Sequence, residues 1–463
     1  MTRKGVVTAR LAEVAQLHVP PAGDEPLLAP DVYAARLGQL RERMAERRYS
    51  HLVVFADREH SANLAYLSGF DPRFEEAVLV VRCDGADPAV LVGNECAGMA
   101  AAAPLAMRCV TFQDLSLPGQ PRDRSQPLAE ILRGEGIGGG SRVGVIGWKS
   151  FDSRRSLEVP AYLVDELREL CGAGGLVENA VDLLIDPACG MRVINEVDQL
   201  AAFEWAACQT SSGVQRVIAG LSPGMTEREA VRLLEWNGTP LSCHLMLTAG
   251  DRARLGLLSP GDRPIGRGDP FTIAFGIRGA LNCRAGFVVH DAGELPDGVD
   301  DYVDKLVAPY FAAVVEWYEA LHVGQTGGTL QEIVDRHIGD PFFGVALNPG
   351  HQIHLDEWVN SPVFAGSAIE LRSGMAMQCD IIPATGTPNF TTNIEDGVAL
   401  ADEALRAEFA AAHPDAWTRI EARRRFMADE LGITLHPDVL PFSNLAARLP
   451  PYLLDRGRAM VAA

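Results

Sequence analysis

Apolar and polar residues follow two different rhythms along this chain, and the change between them divides it. Over residues 30–48 apolar side chains recur at helical spacing (Tyr33, Leu37, Leu40, Met44), which predicts an amphipathic helix. Residues 51–55, 77–81 and 142–146 are short, continuous apolar runs, the pattern of strands buried on both faces. Helical patterns over 60–67, 93–102 and 156–171 fall between them. This alternation predicts an α/β layer on a mixed or parallel sheet.

A boundary falls near residues 182–190. Residues 196–218 then read as one long amphipathic helix ending before Gly220. Thr226 with Glu229 three residues on has the spacing of a capping box and predicts another helix start. From 241 onward β-like runs dominate (241–248, 271–275, 286–290, 376–382 and 398–401), interrupted by a helical pattern over 300–321. The second half is therefore expected to be α+β, with helices packed on an antiparallel sheet. The expected organisation is an arm over 1–30, an α/β domain over 31–185, an α+β domain over 191–405 and a C-terminal extension over 406–463.

Composition narrows the function. At 463 residues the chain exceeds one ordinary core, and its 47% hydrophobic and 22% charged content is that of a soluble globular protein. A net charge of −20 argues against nucleic acid or an anionic membrane as partner. No apolar run approaches the roughly 18 residues of a membrane span, and the first 26 residues lack a secretory apolar core. Nine scattered cysteines without a CxxC pair read as reduced thiols. Cytoplasmic location and a small-molecule substrate are the expectation.

The motifs carry the chemistry. Asn63-Leu-Ala-Tyr-Leu-Ser-Gly-Phe70 in the first half, and Met191-Arg-Val-Ile-Asn-Glu and Leu221-Ser-Pro-Gly-Met-Thr-Glu227 in the second, are joined by three later phrases. These are Asn348-Pro-Gly-His-Gln-Ile-His354, Gly374-Met-Ala-Met-Gln-Cys-Asp380 and Asn393-Ile-Glu-Asp-Gly397. Together they resemble the pita-bread superfamily of creatinase, aminopeptidase P and prolidase. The resemblance implies a creatinase-like N-terminal domain, a pita-bread catalytic domain, and a homodimer in which the segment 57–60 borders the partner's pocket.

Peptidases of that family hold two divalent metals with two aspartates, one histidine and two glutamates. The resemblance places Ala274 and Ala285 at the aspartate positions, His351 at the histidine, Asp380 at the first glutamate and Glu395 at the second. A further active-site histidine of the family falls on Leu257, and its His-Glu pair on Trp358 and Val359. An alanine methyl has no lone pair, and a dinuclear centre needs bridging carboxylates. Two metals are therefore not expected here. One histidine with two carboxylates suits either no metal or one divalent ion on His351, Asp380 and Glu395.

The catalytic candidates are accordingly His351, Asp380 and Glu395, with His354, Asp356, Glu357 and Arg284 as candidates for substrate binding. Arg284 sits next to Ala285, and strand alternation would turn it to the opposite face. The expected activity is hydrolysis of a C–N bond in a small polar, zwitterionic compound. Lyase chemistry, a mononuclear Xaa-Pro metallopeptidase and a non-catalytic binding protein stand as alternatives.

Overall fold

In the computed structural model, which describes residues 7–463, the apolar runs become strands of two separate sheets. Leu28–Arg192 form one unit, and residues 7–27 with Val193–Ala463 form the other. The chain begins with β1 (Ala9–Glu13), a strand of the larger unit, before it builds the smaller one.

The smaller unit opens with α1 (Pro30–Arg47), whose Leu37, Leu40 and Met44 are buried. Its sheet comprises β2 (His51–Ala56), β3 (Ala77–Arg82), β4 (Ala89–Val92), β5 (Arg108–Thr111), β6 (Arg142–Ile146) and β7 (Leu176–Asn179). The order is β5-β4-β3-β2-β6-β7. β2 pairs in parallel with β6 and antiparallel with β3, so the sheet is mixed. Every residue of β2 is buried, as its unbroken apolar run requires. The short helices α2 (Ala62–Ser68), α3 (Ala97–Ala101), α4 (Leu128–Gly134), α5 (Ala161–Cys171) and α6 (Asp182–Ile185) connect the strands.

The larger unit resumes with α7 (Val197–Gly220) and α8 (Glu227–Arg232), the latter opened by the Thr226–Glu229 capping box. Its antiparallel sheet contains β8 (Met246–Ala249), β9 (Pro270–Ile277), β10 (Ala280–Phe287), β11 (His351–Gln352), β12 (Ala376–Ile381), β13 (Asn393–Leu400) and β14 (Val439–Pro441). The order is β11-β12-β13-β10-β9-β8, with β14 also paired to β13. α9 (Ala308–Ala320) and α10 (Gly327–Ile338) lie between β10 and β11 in the chain. α11 (Glu403–Ala412) and α12 (Pro414–Asp429) follow β13.

Alternation sorts the side chains of this sheet. Ile273, Phe275 and Ile277 of β9 share a core with Leu200, Phe203 and Val214 of α7. Met377, Cys379 and Ile381 of β12 share one with Tyr310, Phe311 and Trp317 of α9. The intervening residues therefore face the other way, where the site lies.

The structure corrects several expectations. Of the arm, residues 7–27 belong to the larger unit, residues 1–6 lying outside the described residues, and the C-terminal extension is built into it too: β1 pairs with β15 (Arg458–Ala462), and β14 widens the central sheet. The 300–321 helix is a π-helical turn over Val303–Val307 followed by α9. The strand expected over 398–401 starts earlier, at Asn393, so Asp396 and Gly397 lie inside β13. The 286–290 strand ends at Phe287 and starts at Ala280. β10 escaped the pattern because all eight of its residues are buried, Asn282 and Arg284 included.

Candidate active site

Strand register gathers the acids. Asp380 on β12 lies opposite Glu395 on β13, and Glu395 lies opposite Cys283 on β10, which in turn lies opposite Ala274 on β9. His351 enters at the sheet edge, opposite Gln378. Gly350 presents it with φ +131°, a conformation side-chain-bearing residues rarely adopt. A Cβ at Gly350 would meet the Trp317 ring at 3.0 Å and the Gln378 carbonyl oxygen at 3.2 Å. Trp317 itself is anchored by its Nε1–H donating to the Pro349 oxygen at 2.8 Å.

His351 is wholly buried, and its ring stacks on Trp358 with centroids 4.1 Å apart. Nδ1 lies 3.2 Å from the Gln352 carbonyl oxygen. A carbonyl only accepts, so this bond puts a proton on Nδ1 and leaves Nε2 to the acids. Nε2 stands 3.4 Å from Glu357 Oε1, 3.6 Å from Glu395 Oε1 and 3.7 Å from Asp380 Oδ2. His351 Nε2, Asp380 Oδ1 and Glu395 Oε1 are buried without a hydrogen-bond partner. Burial, then the charge of Glu395, pushes the Asp380 carboxyl well above the usual range. Burial, then Glu357, does the same to Glu395.

Glu357, Asp380 and Glu395 line a cavity of about 620 Å³, with Ala274, Cys283, Thr272 and Asn393 on the same floor. His351 is not part of that lining; it sits behind the acids. Cys283 accepts from Asn393 Nδ2 at 3.1 Å, and burial raises its thiol well above the ordinary value. Cys243, also on the lining, is pushed up to about 12 by burial and by Glu357. Neither cysteine is a ready thiolate.

Arg284, His354 and Asp356 do not line the cavity. Arg284 lies on the other face of β10, its Nη2 2.6 Å from Asp396 Oδ2, and both side chains are almost wholly buried. Asp396 also accepts from Asn282 Nδ2 and Ser443 Oγ, each at 2.7 Å, and from the Ala447 amide at 2.9 Å. A substrate carboxylate has no access to that arginine. His354 is buried edge-on to Phe203, with Nδ1 accepting from the Leu355 amide. Sequence reasoning missed the cavity wall: Met246, Leu255, Leu281, Leu347, Ile382 and Phe390 come from five separate segments. Only the Leu255-Gly-Leu-Leu258 run signalled it.

The chain matches the family described as Creatinase/Prolidase N-terminal domain over residues 36–180. The whole fold is similar to the prolidase from Pyrococcus horikoshii (TM-score 0.61, 17% identity, 79% of this chain and 95% of that one). The chain has a creatinase/prolidase-like, pita-bread fold. The Xaa-Pro dipeptidase from Bacillus anthracis (TM-score 0.60, 16% identity, covering 80% and 96%) shares this creatinase/prolidase-like architecture. So does the X-Pro aminopeptidase from Thermotoga maritima (TM-score 0.61, 16% identity, covering 80% and 95%). No curated protein matches the sequence.

On this prolidase-like scaffold the donor set decides what metal fits. Donor atoms of His351, Asp380 and Glu395 all lie within 4.8 Å of one another. That set, with its unpartnered atoms, suits one divalent ion. Ala274 and Ala285, which the resemblance places at the bridging aspartate positions, have methyl groups with no lone pair to offer a second ion.

Proposed function

We propose that the chain is a hydrolase of a C–N bond in a small substrate, worked by Asp380, Glu395 and His351 without a dinuclear metal centre. One observation carries this reading. Three carboxyls at a cavity floor converge with the imidazole behind them, and unpartnered atoms lie among them; the resemblance puts Ala274 and Ala285 at the family's metal-bridging positions. Asp380 and Glu395 are the groups that meet substrate. Two carboxyls this close and this buried cannot both ionise readily, so one keeps a proton. The ionised one takes a proton from an attacking water, whose oxygen bonds to carbon. The protonated one gives its proton to the departing nitrogen as the C–N bond breaks. His351 is a positioning residue, its Nε2 fixing where negative charge rests.

The expectation of a polar, zwitterionic substrate draws support from the acid floor for its cationic end. For a carboxylate the lining offers Arg254 and His244, both exposed. A homodimer in the cytoplasm remains part of the proposal, on the strength of the resemblance and the acidic charge. Among the described residues, no helix is long and apolar enough to cross a membrane.

A second reading has its own observation, the compact donor set of His351, Asp380 and Glu395. One ion bound there would polarise a carbonyl or a water, and the chain would be a mononuclear Xaa-Pro metallopeptidase. Elemental analysis after dialysis against zinc, manganese and iron separates the readings, alongside turnover of X-Pro dipeptides and of N-substituted amino and guanidino compounds. At most one equivalent of metal, with turnover that survives chelators, is the expected result. One equivalent with chelator-sensitive X-Pro cleavage establishes the second reading, and two equivalents sink the first. Ligand-induced thermal shifts without turnover of any compound would make the chain a binding protein.

A further inference from the structure

The cavity's walls and floor differ in kind. Leu255, Leu257 and Leu347 stand on the lining although each is more than half exposed. With Met246, Phe390 and Trp358 they form an apolar wall above Glu357, Asp380 and Glu395. An exposed apolar surface of this kind, concave and closed by charge at one end, marks a ligand site. The cationic side chains of the lining, Arg254 and His244, are exposed, and His244 Nε2 is already engaged with the Leu257 carbonyl at 2.7 Å. The buried cation of β10, Arg284, is sealed on the opposite face. The cavity thus offers deep acidic groups and an apolar wall, and among the described residues its lining holds no buried cation to pair with an anion.

We infer that the cavity takes a hydrophobic monocation: an aliphatic or aromatic body carrying one amine, amidine or guanidinium, without a carboxylate. The inference rests on the reading of this cavity as the substrate site, and it replaces the zwitterion with an amphipathic base. The cationic end meets the three carboxyls, which lose their mutual repulsion to it. The body lies against the leucines, each buried methylene adding about 0.8 kcal/mol, or ~fourfold in affinity.

The test is isothermal titration of the full chain, before and after chelator dialysis, with n-hexylamine, n-butylamine, 6-aminohexanoate, hexanoate and putrescine. Hexylamine should bind at least tenfold tighter than 6-aminohexanoate, hexanoate or putrescine, and about an order of magnitude tighter than butylamine. The exposed double variant Leu255→Ser/Leu257→Ser should flatten the dependence on chain length. Equal or tighter binding of 6-aminohexanoate, hexanoate or putrescine would overturn the inference, as would no gain from butyl to hexyl. Hydrolysis is read separately: hexylamine binding without turnover of any C–N compound sinks the hydrolase reading and leaves this one standing.

Discussion

At the residue scale, the acids of the cavity are held under electrostatic tension. A carboxyl whose proton affinity is raised by folding binds more protons in the native than in the unfolded chain. Stability from that source is present at low pH and lost as pH rises through the raised value. Asp380 and Glu395 are both raised by burial. Metal-stripped protein should therefore gain from these groups as pH falls from 8 toward 5. Each tenfold increase in proton affinity corresponds to about 1.4 kcal/mol. Asp380→Asn and Glu395→Gln should each raise the Tm at pH 8 and flatten its pH dependence. Calorimetric scans at several pH values check this, and a lower Tm at pH 8 would refute it. Arg284 and Asp396 behave oppositely, as a satisfied buried pair. Arg284→Met leaves Asp396 charged and uncompensated, with an expected cost of about 3–5 kcal/mol in denaturant unfolding. Of these residues, Asp380 and Glu395 were named from motif phrases, as was His351 behind them. That Asp396 is a structural partner was not, because one-residue alternation along a fully buried strand leaves no polarity signal.

At the element scale, the site depends on a short strand delivered by one strained junction. Gly350→Ala would need φ +131° and would press its Cβ against Trp317 and the Gln378 carbonyl. The expected loss is about 1–3 kcal/mol of stability, and His351 should also be displaced. Circular dichroism melts and the hexylamine affinity check both effects. Elements with a strong period or an unbroken apolar run were readable in the sequence, α1, α7 and β2 among them. β10 and β13 were misplaced at their ends because buried polar residues, Asn282, Arg284 and Asp396, imitate turns and surface. Partners distant in sequence decide those residues: Asn282 bonds Asp396, 114 positions on, and Ser443 beyond it. The apolar cavity wall was hidden for a related reason. Its residues come from scattered segments, each too short to show a period.

At the scale of the whole molecule, the last sixty residues complete the larger unit rather than decorate it. Phe409, Ile420 and Leu440 belong to the core with α7, and Phe426, Leu449 and Met460 to the core with α9. Burying each such side chain contributes about 1.5–3 kcal/mol, against a total stability of about 5–15 kcal/mol for an ordinary domain. A chain truncated after Ala401 should therefore lose the larger unit's cooperative unfolding and keep at most the transition of Leu28–Arg192. A calorimetric enthalpy as large as that of the full chain would contradict this. The sequence reading separated 406–463 because the resemblance stopped there. Local patterns do not reveal that β14 pairs with β13, or that β15 pairs with a strand more than four hundred residues earlier.

The clamp between Arg284 and Asp396 also acts on folding fidelity. Glu395 and Asp396 are adjacent carboxylates on one strand, and a slip of one residue against β10 would exchange which of them faces the cavity. That misregistered chain would bury the Arg284 charge without a partner while pointing the shorter acid at the floor. On the proposed function, the acid that meets substrate is thus chosen while the strands zip together, by a contact on the opposite face of the sheet.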